Sequence, residues 1–390
     1  MAAVFPPGFL WGAATSAHQV EGGNWNNDWW AWEHTPGTPC AEPSGDACDH
    51  YHRYPDDIAL LAALGFNAYR FSLEWSRIEP EEGEISRAAL AHYRRVAEAC
   101  REHGLEPVVT LHHFTTPRWV AALGGWTEPS TAARFARFAE VAARALAPAV
   151  RWVCTINEPN IVSRMGYLIG FFPPGERAPD RWRAAQEVLI AAHRQAAEAV
   201  KGVFPGAGVG LTLAMSDYQA AEPGAEETLA ALRGPDEDPF LQAAREDDFI
   251  GVQAYTRIRV GRAGPLDAPP GAELTLMGYE FRPEALEGVI RRAHRQTGRP
   301  VFVTENGVAV ADDTRRVEYV RRALEGVRRC LDDGVPVPGY CYWSALDNFE
   351  WAFGYGPTFG LIGVDRETQQ RTPRPSAHWL GGVARANALP

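Results

Sequence analysis

Two glutamates each close a short apolar run of the chain. Glu158 ends the run Trp152–Glu158, and Glu305 ends the run Val301–Glu305. If both runs are parallel strands of one sheet, their carboxyl ends lie at the same edge, so we expect the two carboxyls to share a site. One carboxyl that keeps its proton can protonate a departing oxygen, while an ionised one can attack a carbon. Such a pair predicts cleavage of a glycosidic bond.

Polar or aromatic residues close most of the other apolar runs as well. Amides, imidazoles and carboxylates can hydrogen-bond to sugar hydroxyls, and an aromatic ring can pack against the apolar C–H face of a sugar. If these runs are strands of one barrel, their ends converge on one rim, which predicts a sugar-binding site. The residues are His18, Gln19, Glu74, Trp75, His112, His113, Asn157, Gln253, Tyr255, Asn306, Trp343, Asp347, Asn348, Glu350 and Trp351.

The apolar runs alternate with longer segments of helical period. This alternation suits parallel strands covered by helices and predicts an α/β fold, a single-domain (β/α)8 TIM barrel over residues 1–390. A doubly wound open sheet is the alternative, but no glycine-rich GxGxxG turn follows the first run. The predicted strands are Phe9–Gln19, Ala68–Trp75, Pro107–Phe114, Trp152–Glu158, Val209–Met215, Phe249–Tyr255, Val301–Glu305 and Gly339–Ala345.

Apolar stripes mark the helices between these strands. Val320, Leu324 and Val327 recur at spacings of three and four, and Gly334 provides a stop after them. Pro55 is expected in the first turn of the helix that follows the first strand, because proline is tolerated there.

Charge and composition exclude several classes of function. The net charge is −11 with no basic run, so neither nucleic acid nor an anionic membrane is an expected partner. Lys201 is the only lysine and closes a helical pattern just before Gly202. Schiff-base, pyridoxal and P-loop enzymes each need a placed lysine, so these chemistries are nearly excluded and no cofactor is expected.

Neither a metal site nor a disulfide scaffold is expected. His112 and His113 are neighbours on a strand and point to opposite faces, so they cannot both bind one ion. His112 is predicted to pack, and His113 to contact the sugar. Six cysteines are too few and too scattered for a scaffold, although Cys40 and Cys48 share a loop and could pair. Met1–Leu10 has no signal-peptide pattern and no apolar run approaches a membrane span, so a cytoplasmic location is expected.

Five blocks of sequence, in order along nearly the whole chain, resemble glycoside hydrolase family 1. They are FLWGAATSAHQVEG (Phe9–Gly22), YRFSLEWSRIEP (Tyr69–Pro80), TINEPN (Thr155–Asn160), VTENG (Val303–Gly307) and YWSALDNFEW (Tyr342–Trp351). The family contains β-glucosidases and β-galactosidases on a (β/α)8 barrel with retaining stereochemistry. The resemblance therefore agrees with the fold and the bond cleavage expected from the residues.

The resemblance also implies a role for individual residues. Glu158 would be the acid/base and Glu305 the nucleophile, about 5–5.5 Å apart as retaining enzymes require. Arg70 and Tyr255 would lie against Glu305 and keep it ionised. The residues implied to bind the terminal sugar are Gln19, His113, Asn157 and Glu350 for its hydroxyls, Trp343 as stacking platform and Trp351 as a further hydroxyl donor. Gln253 is expected to support the site and can offer an amide toward the 2-hydroxyl region, one methylene further out than an asparagine.

The chain departs from the family pattern mainly where the leaving group should lie. Asn160 stands where many members have a tryptophan, and Phe353 where a second acidic residue is frequent. Gln253 replaces a common asparagine, and Phe114–Pro117 replaces the usual residues after the strand-three histidine. The leaving-group pocket is therefore the part that the family predicts least.

Glu350 and Glu158 also narrow the expected substrate class within the family. Glu350 would repel a phosphate, and Glu158 differs from the glutamine of the thioglucosidase branch, so a small unmodified β-glycoside is the expected partner. A β-glucosidase is expected first, with galactosides and fucosides as further substrates. A transglycosylase using the same pair and a catalytically silent sugar-binding barrel are the alternatives.

Two groups of residues have a structural interpretation instead. Glu74 is expected to form an ion pair with Arg70 and Arg77, which lie nearby in the sequence. Four tryptophans are expected to pack the long loop after the first strand, although they could also extend a sugar cleft. They are Trp25, Trp29, Trp30 and Trp32.

Overall fold

A computed structural model describes residues 3–390 and contains a closed barrel of eight parallel strands. Each strand pairs with the next along the chain, and the last pairs with the first, where Gly339 lies opposite Leu10. Closure confirms the predicted barrel and excludes the open sheet. The strands are β1 (Leu10–Ala14), β2 (Ala68–Ser72), β3 (Glu106–His112), β4 (Trp152–Asn157), β5 (Gly208–Ala214), β6 (Ile250–Gln253), β7 (Val301–Asn306) and β8 (Gly339–Trp343).

Helices surround the barrel and also occupy the loops at its carboxyl end. They are α1 (Ala17–Val20), α2 (Asp28–Glu33), α3 (His50–Leu64), α4 (Trp75–Ile78), α5 (Arg87–Glu102), α6 (Arg118–Ala122), α7 (Ser130–Leu146), α8 (Pro159–Ser163), α9 (Pro179–Val203), α10 (Glu226–Ala243), α11 (Ala285–Thr297), α12 (Asp313–Asp332) and α13 (Pro375–Ala386). A π-helical turn, Arg164–Ile169, continues α8. Short strand pairings also occur outside the barrel. Three are antiparallel: Ala3–Val4 with Ala388–Leu389, Gly264–Leu266 with Arg257–Gly261, and Ile362–Val364 with Arg371–Pro373. The fourth is parallel and pairs Asp217–Ala220 with the other edge of Arg257–Gly261.

The first two strands end earlier than the sequence pattern predicts. Strand β1 ends at Ala14, so His18 and Gln19 belong to the short helix α1. Strand β2 ends at Ser72, and Glu74 is the residue before α4, where its side chain accepts a hydrogen bond from the backbone of Ser76. After both strands end, polar side chains accept the backbone hydrogen bonds that strand pairing would otherwise accept. After β1, for example, the Ser72 hydroxyl accepts from the Ala17 backbone N–H at 2.7 Å. The hydrophobic pattern alone does not reveal such local exchanges.

Pro55 lies inside α3 and not in its first turn, so that expectation is wrong. The helix begins at His50, five residues earlier. A hydrogen bond between His50 Nδ1 and Asp57 Oδ2, at 2.8 Å, links the residues on either side of Pro55. Side-chain bonding thus extends the helix beyond the start that proline suggests.

The barrel interior changes from apolar to polar along its axis. Trp152, Phe249 and Phe302 pack together near the amino ends of the strands, with ring centroids 5.3–5.9 Å apart. Toward the carboxyl ends the interior contains buried polar residues, among them Arg70 and Thr304. The polar residues of the interior thus lie at the carboxyl end of the barrel, where the loops meet.

The described residues bear on the expectations about the cysteines, His112, metal ligands and membrane spans. All six cysteines are free, including Cys40 and Cys48. His112 packs edge-on against Trp126 at 5.0 Å, as predicted, and neither of its ring nitrogens has a hydrogen-bond partner. Within residues 3–390 we find no cluster of three metal-ligating side chains, and no helix there has the length and apolar character to cross a membrane.

Candidate active site

The carboxylate of Glu305, on β7, is held at both oxygens. Arg70 Nη1 donates to Oε1 at 2.5 Å, and the Tyr255 hydroxyl donates to Oε2 at 2.5 Å. Arg70 is completely buried and Glu305 nearly so. Burial raises the pKa of Glu305, while the charge of Arg70 and the two hydrogen bonds oppose that rise. These contacts orient the carboxylate and favour its ionised form.

Arg70 also holds Asn157, the last residue of β4. Its Nη2 donates to Asn157 Oδ1 at 2.6 Å, and Asn157 Nδ2 lies 3.2 Å from His113 Nε2. Gln253 Nε2 donates to Asn157 Oδ1 at 3.1 Å and to Thr304 Oγ1 at 2.9 Å. Both amide hydrogens of Gln253 are thus used inside the barrel, because β6 places it opposite Glu305 and beside Thr304. Gln253 positions Asn157 and has no N–H left for a sugar.

Glu158 occupies a different environment from that of Glu305. It follows β4 in the left-handed region, with φ +47°, and Pro159 then begins α8. This backbone conformation costs about 1–2 kcal/mol for a residue with a side chain. The hydrogen bond that the Glu158 N–H donates to Thr212 O at 2.8 Å helps to hold the conformation. Burial and the negative charge of Glu305 raise the pKa of Glu158 well above its usual value. Of the two carboxyls, Glu158 is therefore the one that retains a proton.

Gln19 and Glu350 lie together, near enough to Glu305 for its charge to act on Glu350. Gln19 Nε2 donates to the backbone oxygen of Phe349 at 2.8 Å and to Asn348 Oδ1 at 3.1 Å, and lies 3.5 Å from Glu350 Oε2. Burial and the charge of Glu305 raise the pKa of Glu350 to about 8, against hydrogen bonds from Trp343 and Gln19. The loops after β1 and β8 thus present one amide and one carboxyl together.

Aromatic rings line the same side. His113 stacks on Trp343 at 5.8 Å and 17°, and on Trp351 at 6.1 Å and 13°. His18 stacks on Trp351 at 5.7 Å and 9°. Burial and the nearby Arg70 lower the pKa of His113 well below its usual value, so its ring is neutral. A neutral imidazole and two indoles beside amides and carboxyls match the chemistry of a pyranose ring.

Comparison with known proteins agrees with this geometry. The sequence model for "Glycosyl hydrolase family 1" matches residues 1–239 and 247–389. The chain belongs to glycosyl hydrolase family 1. It is therefore a glycoside hydrolase, in a family of retaining β-glycosidases.

Individual relatives of the family cover nearly the whole chain. The "Thermostable beta-glucosidase B" of Thermobispora bispora is 36% identical over 99% of this chain and 91% of its own length. The "Bifunctional beta-D-glucosidase/beta-D-fucosidase" of Bifidobacterium breve is 34% identical over 97% of this chain and 98% of its own. The solved structure "beta-glycosidase BGL167" is 50% identical with a TM-score of 0.93, covering 99% of this chain and 98% of that one.

Glu74 does not form the ion pair expected from the sequence. Arg70 pairs with Glu305, and Arg77 pairs with Glu21 at 2.8 Å. Glu74 instead accepts hydrogen bonds from side chains on three loops of this family 1 barrel. The donors are Asn24 Nδ2 at 2.6 Å, Ser76 Oγ at 2.7 Å and Thr115 Oγ1 at 2.9 Å. A buried carboxylate thus joins the loops after β1, β2 and β3.

His18 has a positioning role that the sequence did not assign to it. Its Nε2 lies 3.3 Å from Glu33 Oε2, and its Nδ1 lies 3.1 Å from Asn27 Nδ2. These contacts fix the ring that stacks on Trp351. Because His18 lies in the first family block, its position could have indicated a role in the site. Its partner Glu33 lies outside all five blocks, so the sequence offered no such sign for Glu33.

The aromatic residues outside the carboxylate pair divide into packed and exposed ones. Trp29 is buried against Trp351 at 4.6 Å and so packs the loop as expected. Trp25 is 61% exposed, so for this residue the packing expectation is wrong. Phe353 is 48% exposed and touches Phe171 at the rim, with ring centroids 6.1 Å apart.

Proposed function

We propose that the protein is a β-glucosidase that removes a terminal, non-reducing glucosyl unit, with Glu158 as acid/base and Glu305 as nucleophile. The observation that carries this proposal is the unequal environment of the two carboxyls. Glu305 accepts from Arg70 and Tyr255, whereas the pKa of Glu158 is raised by burial and by the charge of Glu305. One ionised and one protonated carboxyl are what double displacement needs.

In the first step, Glu305 attacks the anomeric carbon while Glu158 donates its proton to the glycosidic oxygen. The bond to the leaving group breaks, and a glycosyl ester forms on Glu305. Esterification removes the charge of Glu305, which had raised the pKa of Glu158. Glu158 then ionises more readily and takes a proton from water, whose oxygen attacks the anomeric carbon and releases Glu305. Each carboxyl thus sets the protonation of the other.

The terminal sugar would lie between the indoles and the polar side chains. Trp343 offers a platform. The 4- and 6-hydroxyl region would be met by Glu350 and by the side-chain oxygen of Gln19, because both N–H groups of Gln19 bind Phe349 and Asn348. His113 with Asn157 faces the other hydroxyls. Glu350, with a pKa raised to about 8, can both donate and accept while neutral. The bifunctional glucosidase and fucosidase among the relatives supports fucosides as further substrates.

We also propose that the chain is one catalytic domain that acts in the cytoplasm as a hydrolase of small β-glycosides. The barrel strands extend from Leu10 to Trp343, and pairing of Ala3–Val4 with Ala388–Leu389 joins both ends of the described chain to the same body. Six free cysteines and a net charge of −11 support a reducing location away from anionic surfaces.

A panel of p-nitrophenyl β-glycosides tests the assignment. The glucoside, galactoside, fucoside, mannoside and xyloside are offered to the wild type, to Glu305→Gln and to the exposed control Glu246→Gln. We expect release of nitrophenol from the glucoside at the highest rate, its near-complete loss in Glu305→Gln, and no change in the control. A wild type that is inactive on all five, or a Glu305→Gln variant that matches it, would overturn the proposal.

Azide rescue tests the role of Glu158 separately. In Glu158→Ala, azide can take the place of water at the glycosyl ester without needing a base. We expect azide to restore the rate on the nitrophenyl glucoside and to yield the β-glycosyl azide. An α-glycosyl azide would contradict the retaining mechanism, and product analysis with added alcohol would reveal transfer as the main reaction.

A further inference from the structure

The tyrosine that contacts Glu305 lies just past the end of its barrel strand. Strand β6 ends at Gln253, which lies opposite Glu305, and the register between β6 and β7 shifts just before that pair. Ala254 N still donates to Glu305 O at 3.1 Å, but Tyr255 lies beyond the last paired residue of β6. Regular strand pairing therefore does not fix the backbone from which the Tyr255 hydroxyl reaches Glu305.

A second tyrosine, Tyr319 on the outer helix α12, holds this backbone instead. Its hydroxyl donates to Tyr255 O at 2.6 Å. Within residues 3–390 we find no other hydrogen bond to the Tyr255 backbone. Tyr319 is 1% exposed, and its ring packs edge-on against Phe281 with the centroids 5.3 Å apart. Because the ring is packed on its helix, its hydroxyl has a fixed place at the Tyr255 carbonyl.

Asn306, the residue after Glu305, joins the same backbone to β7. Its Nδ2 donates to Ala254 O at 2.6 Å and to the Tyr319 hydroxyl at 3.3 Å. Its Oδ1 accepts from the Tyr340 hydroxyl at 2.8 Å, and the Asn306 side chain is completely buried. Side chains thus connect the ends of β6 and β7 at the point where the strand pairing becomes irregular.

We propose that Tyr319 is a positioning residue for the nucleophile, which acts through Tyr255 and not by contact with the substrate. This inference rests on the proposed function of Glu305. Tyr255 is half-buried and packs edge-on against Phe359 at 5.9 Å, so the place of its hydroxyl depends on the backbone that carries it. Without the Tyr319 hydroxyl, the Tyr255 carbonyl loses its donor, and the 2.5 Å bond from Tyr255 to Glu305 Oε2 weakens.

A weaker bond from Tyr255 should change the ionisation of Glu305. Burial raises the pKa of Glu305, while Arg70 and the Tyr255 hydroxyl bond oppose that rise, so a weaker Tyr255 bond raises the pKa further. Among the titratable groups near Glu305, Tyr319 hydrogen-bonds within the described chain to Tyr255 and to none of the others. These groups are Arg70, Tyr255, Glu158, Glu350 and the thiols of Cys154 and Cys341.

A double-mutant cycle with pH–rate profiles tests the positioning role. The enzymes are the wild type, Tyr319→Phe, Tyr255→Phe, the double variant and the control Tyr355→Phe. Tyr355 also donates its hydroxyl to a backbone oxygen, that of Ser44. The kcat/KM for p-nitrophenyl β-glucoside is measured across the acid limb, which reports the ionisation of Glu305 in the free enzyme.

We expect Tyr319→Phe to move the acid limb to higher pH, with a loss of roughly 2- to 10-fold at low pH, as for loss of one neutral hydrogen bond. In the double variant the limb should stay where Tyr255→Phe alone places it, because the bond through which Tyr319 acts is already absent. Tyr355→Phe should leave the limb at its wild-type position.

The position of the acid limb does not depend on how much of a preparation is folded, so a partly folded Tyr319→Phe remains informative. If that variant does not fold at all, Phe281→Leu takes its place, because it loosens the packing of the Tyr319 ring. A smaller shift in the same direction is then expected, again absent in the Tyr255→Phe background. A limb at the wild-type position in Phe281→Leu would overturn the positioning role.

Two kinds of result would have different meanings. The positioning role is wrong, and the proposed function stands, if Tyr319→Phe loses activity by one common factor at every pH. The same holds if its limb moves to lower pH, or moves equally with and without the Tyr255 hydroxyl. A wild type that cleaves none of the p-nitrophenyl β-glycosides would instead overturn the proposed function itself.

Discussion

The two sides of Glu158 are built differently. On the side proposed to hold the terminal sugar, polar residues bind one another across the barrel, since Arg70 joins Glu305 to Asn157 and Gln253 joins Asn157 to Thr304. On the side proposed for the leaving group, Asn160, Arg164 and Asp236 lie on short helical turns and on α10. Phe353, which the family pattern also places on that side, is 48% exposed.

This difference follows from the demands of the reaction. The reacting sugar must be held within a fraction of an ångström of the nucleophile, which needs side chains on rigid strands that support one another. The leaving group departs, and its identity varies among β-glycosides, so loops and exposed rings suffice there. Variants on the two sides should therefore differ in how many substrates and how many properties they affect.

The largest effect is expected from Arg70→Met, which breaks the cross-barrel bonding at its centre. Loss of Arg70 leaves the buried Glu305 without its counter-ion, which typically costs about 3–5 kcal/mol of unfolding free energy. It also removes the group that favours ionised Glu305, so kcat/KM on every glucoside should fall by roughly 10²–10³-fold. Urea unfolding and initial rates measure the two effects, with the exposed Arg183→Met as control. Wild-type activity in Arg70→Met would show that the cross-barrel bonding around Arg70 does not hold the reacting groups in place.

A smaller effect with a distinct pH signature is expected from Tyr255→Phe. Its hydroxyl bond to Glu305 Oε2 lowers the pKa of that carboxyl, so removing it raises the pKa. In the proposed mechanism activity needs ionised Glu305, so the acid limb of kcat/KM should move to higher pH, with a loss of roughly 10- to 100-fold at low pH. The pH–rate profile measures this shift, and Tyr54→Phe on α3 is the control. An acid limb that moves to lower pH would contradict the contact.

Glu74→Gln should produce a moderate change in stability and a small one in rate. Glu74 Oε2 accepts from Asn24 and Thr115, and Oε1 accepts from Ser76. A glutamine N–H₂ in place of either oxygen leaves at least one donor without its acceptor, at a cost of about 1–3 kcal/mol. The melting temperature should fall by roughly 2–4 °C for each kcal/mol. Calorimetry beside Glu246→Gln measures the shift. A melting temperature equal to that of the control would mean that Glu74 does not join the three loops.

The smallest effect is expected from Phe353→Ala at the rim of the leaving-group side. The ring is 48% exposed and touches Phe171 only at 6.1 Å between centroids. Stability should change by no more than about 0.5 kcal/mol and kcat/KM on p-nitrophenyl β-glucoside by about two-fold. Parallel assays with Trp343→Ala, which alters the opposite side, provide the comparison. Equal losses in both variants would remove the distinction between the sides.

The barrel and the glutamate pair were open to prediction because their signals are local. The eight apolar runs all became strands, and Glu158 and Glu305 came to lie at the ends of β4 and β7. Strand ends were predicted less well, since Ser72 and Glu74 replace strand pairing with side-chain bonds at β1 and β2. The apolar pattern of the sequence indicates which residues are buried, and the residues after the last paired one in β1 and β2 are still buried.

Hydrogen-bond partners could not be assigned from the chain alone. Glu74 lies close in sequence to Arg70 and Arg77, yet it binds Asn24 and Thr115, which are about 40–50 residues away. Gln253 was expected to support the site, and its amide binds Asn157 at the end of another strand. In both cases the partner depends on which strand ends and loops meet at the carboxyl end of the barrel.

By itself, the sequence determined the fold class and the family of the protein. Apolar runs of strand length with helical stripes between them indicate the barrel, and five family blocks single out Glu158 and Glu305. Tertiary structure alone decided how those carboxyls differ, because Arg70 and Tyr255 reach Glu305 from other strands while Glu158 is left with burial and a neighbouring charge. It alone also brought Arg164 and Asp236 together beside Asn160. Hydrogen bonds and charge interactions depend on the distance between atoms in space. Arg164 and Asp236 are 72 positions apart in the sequence, so they come within bonding distance only when the chain folds.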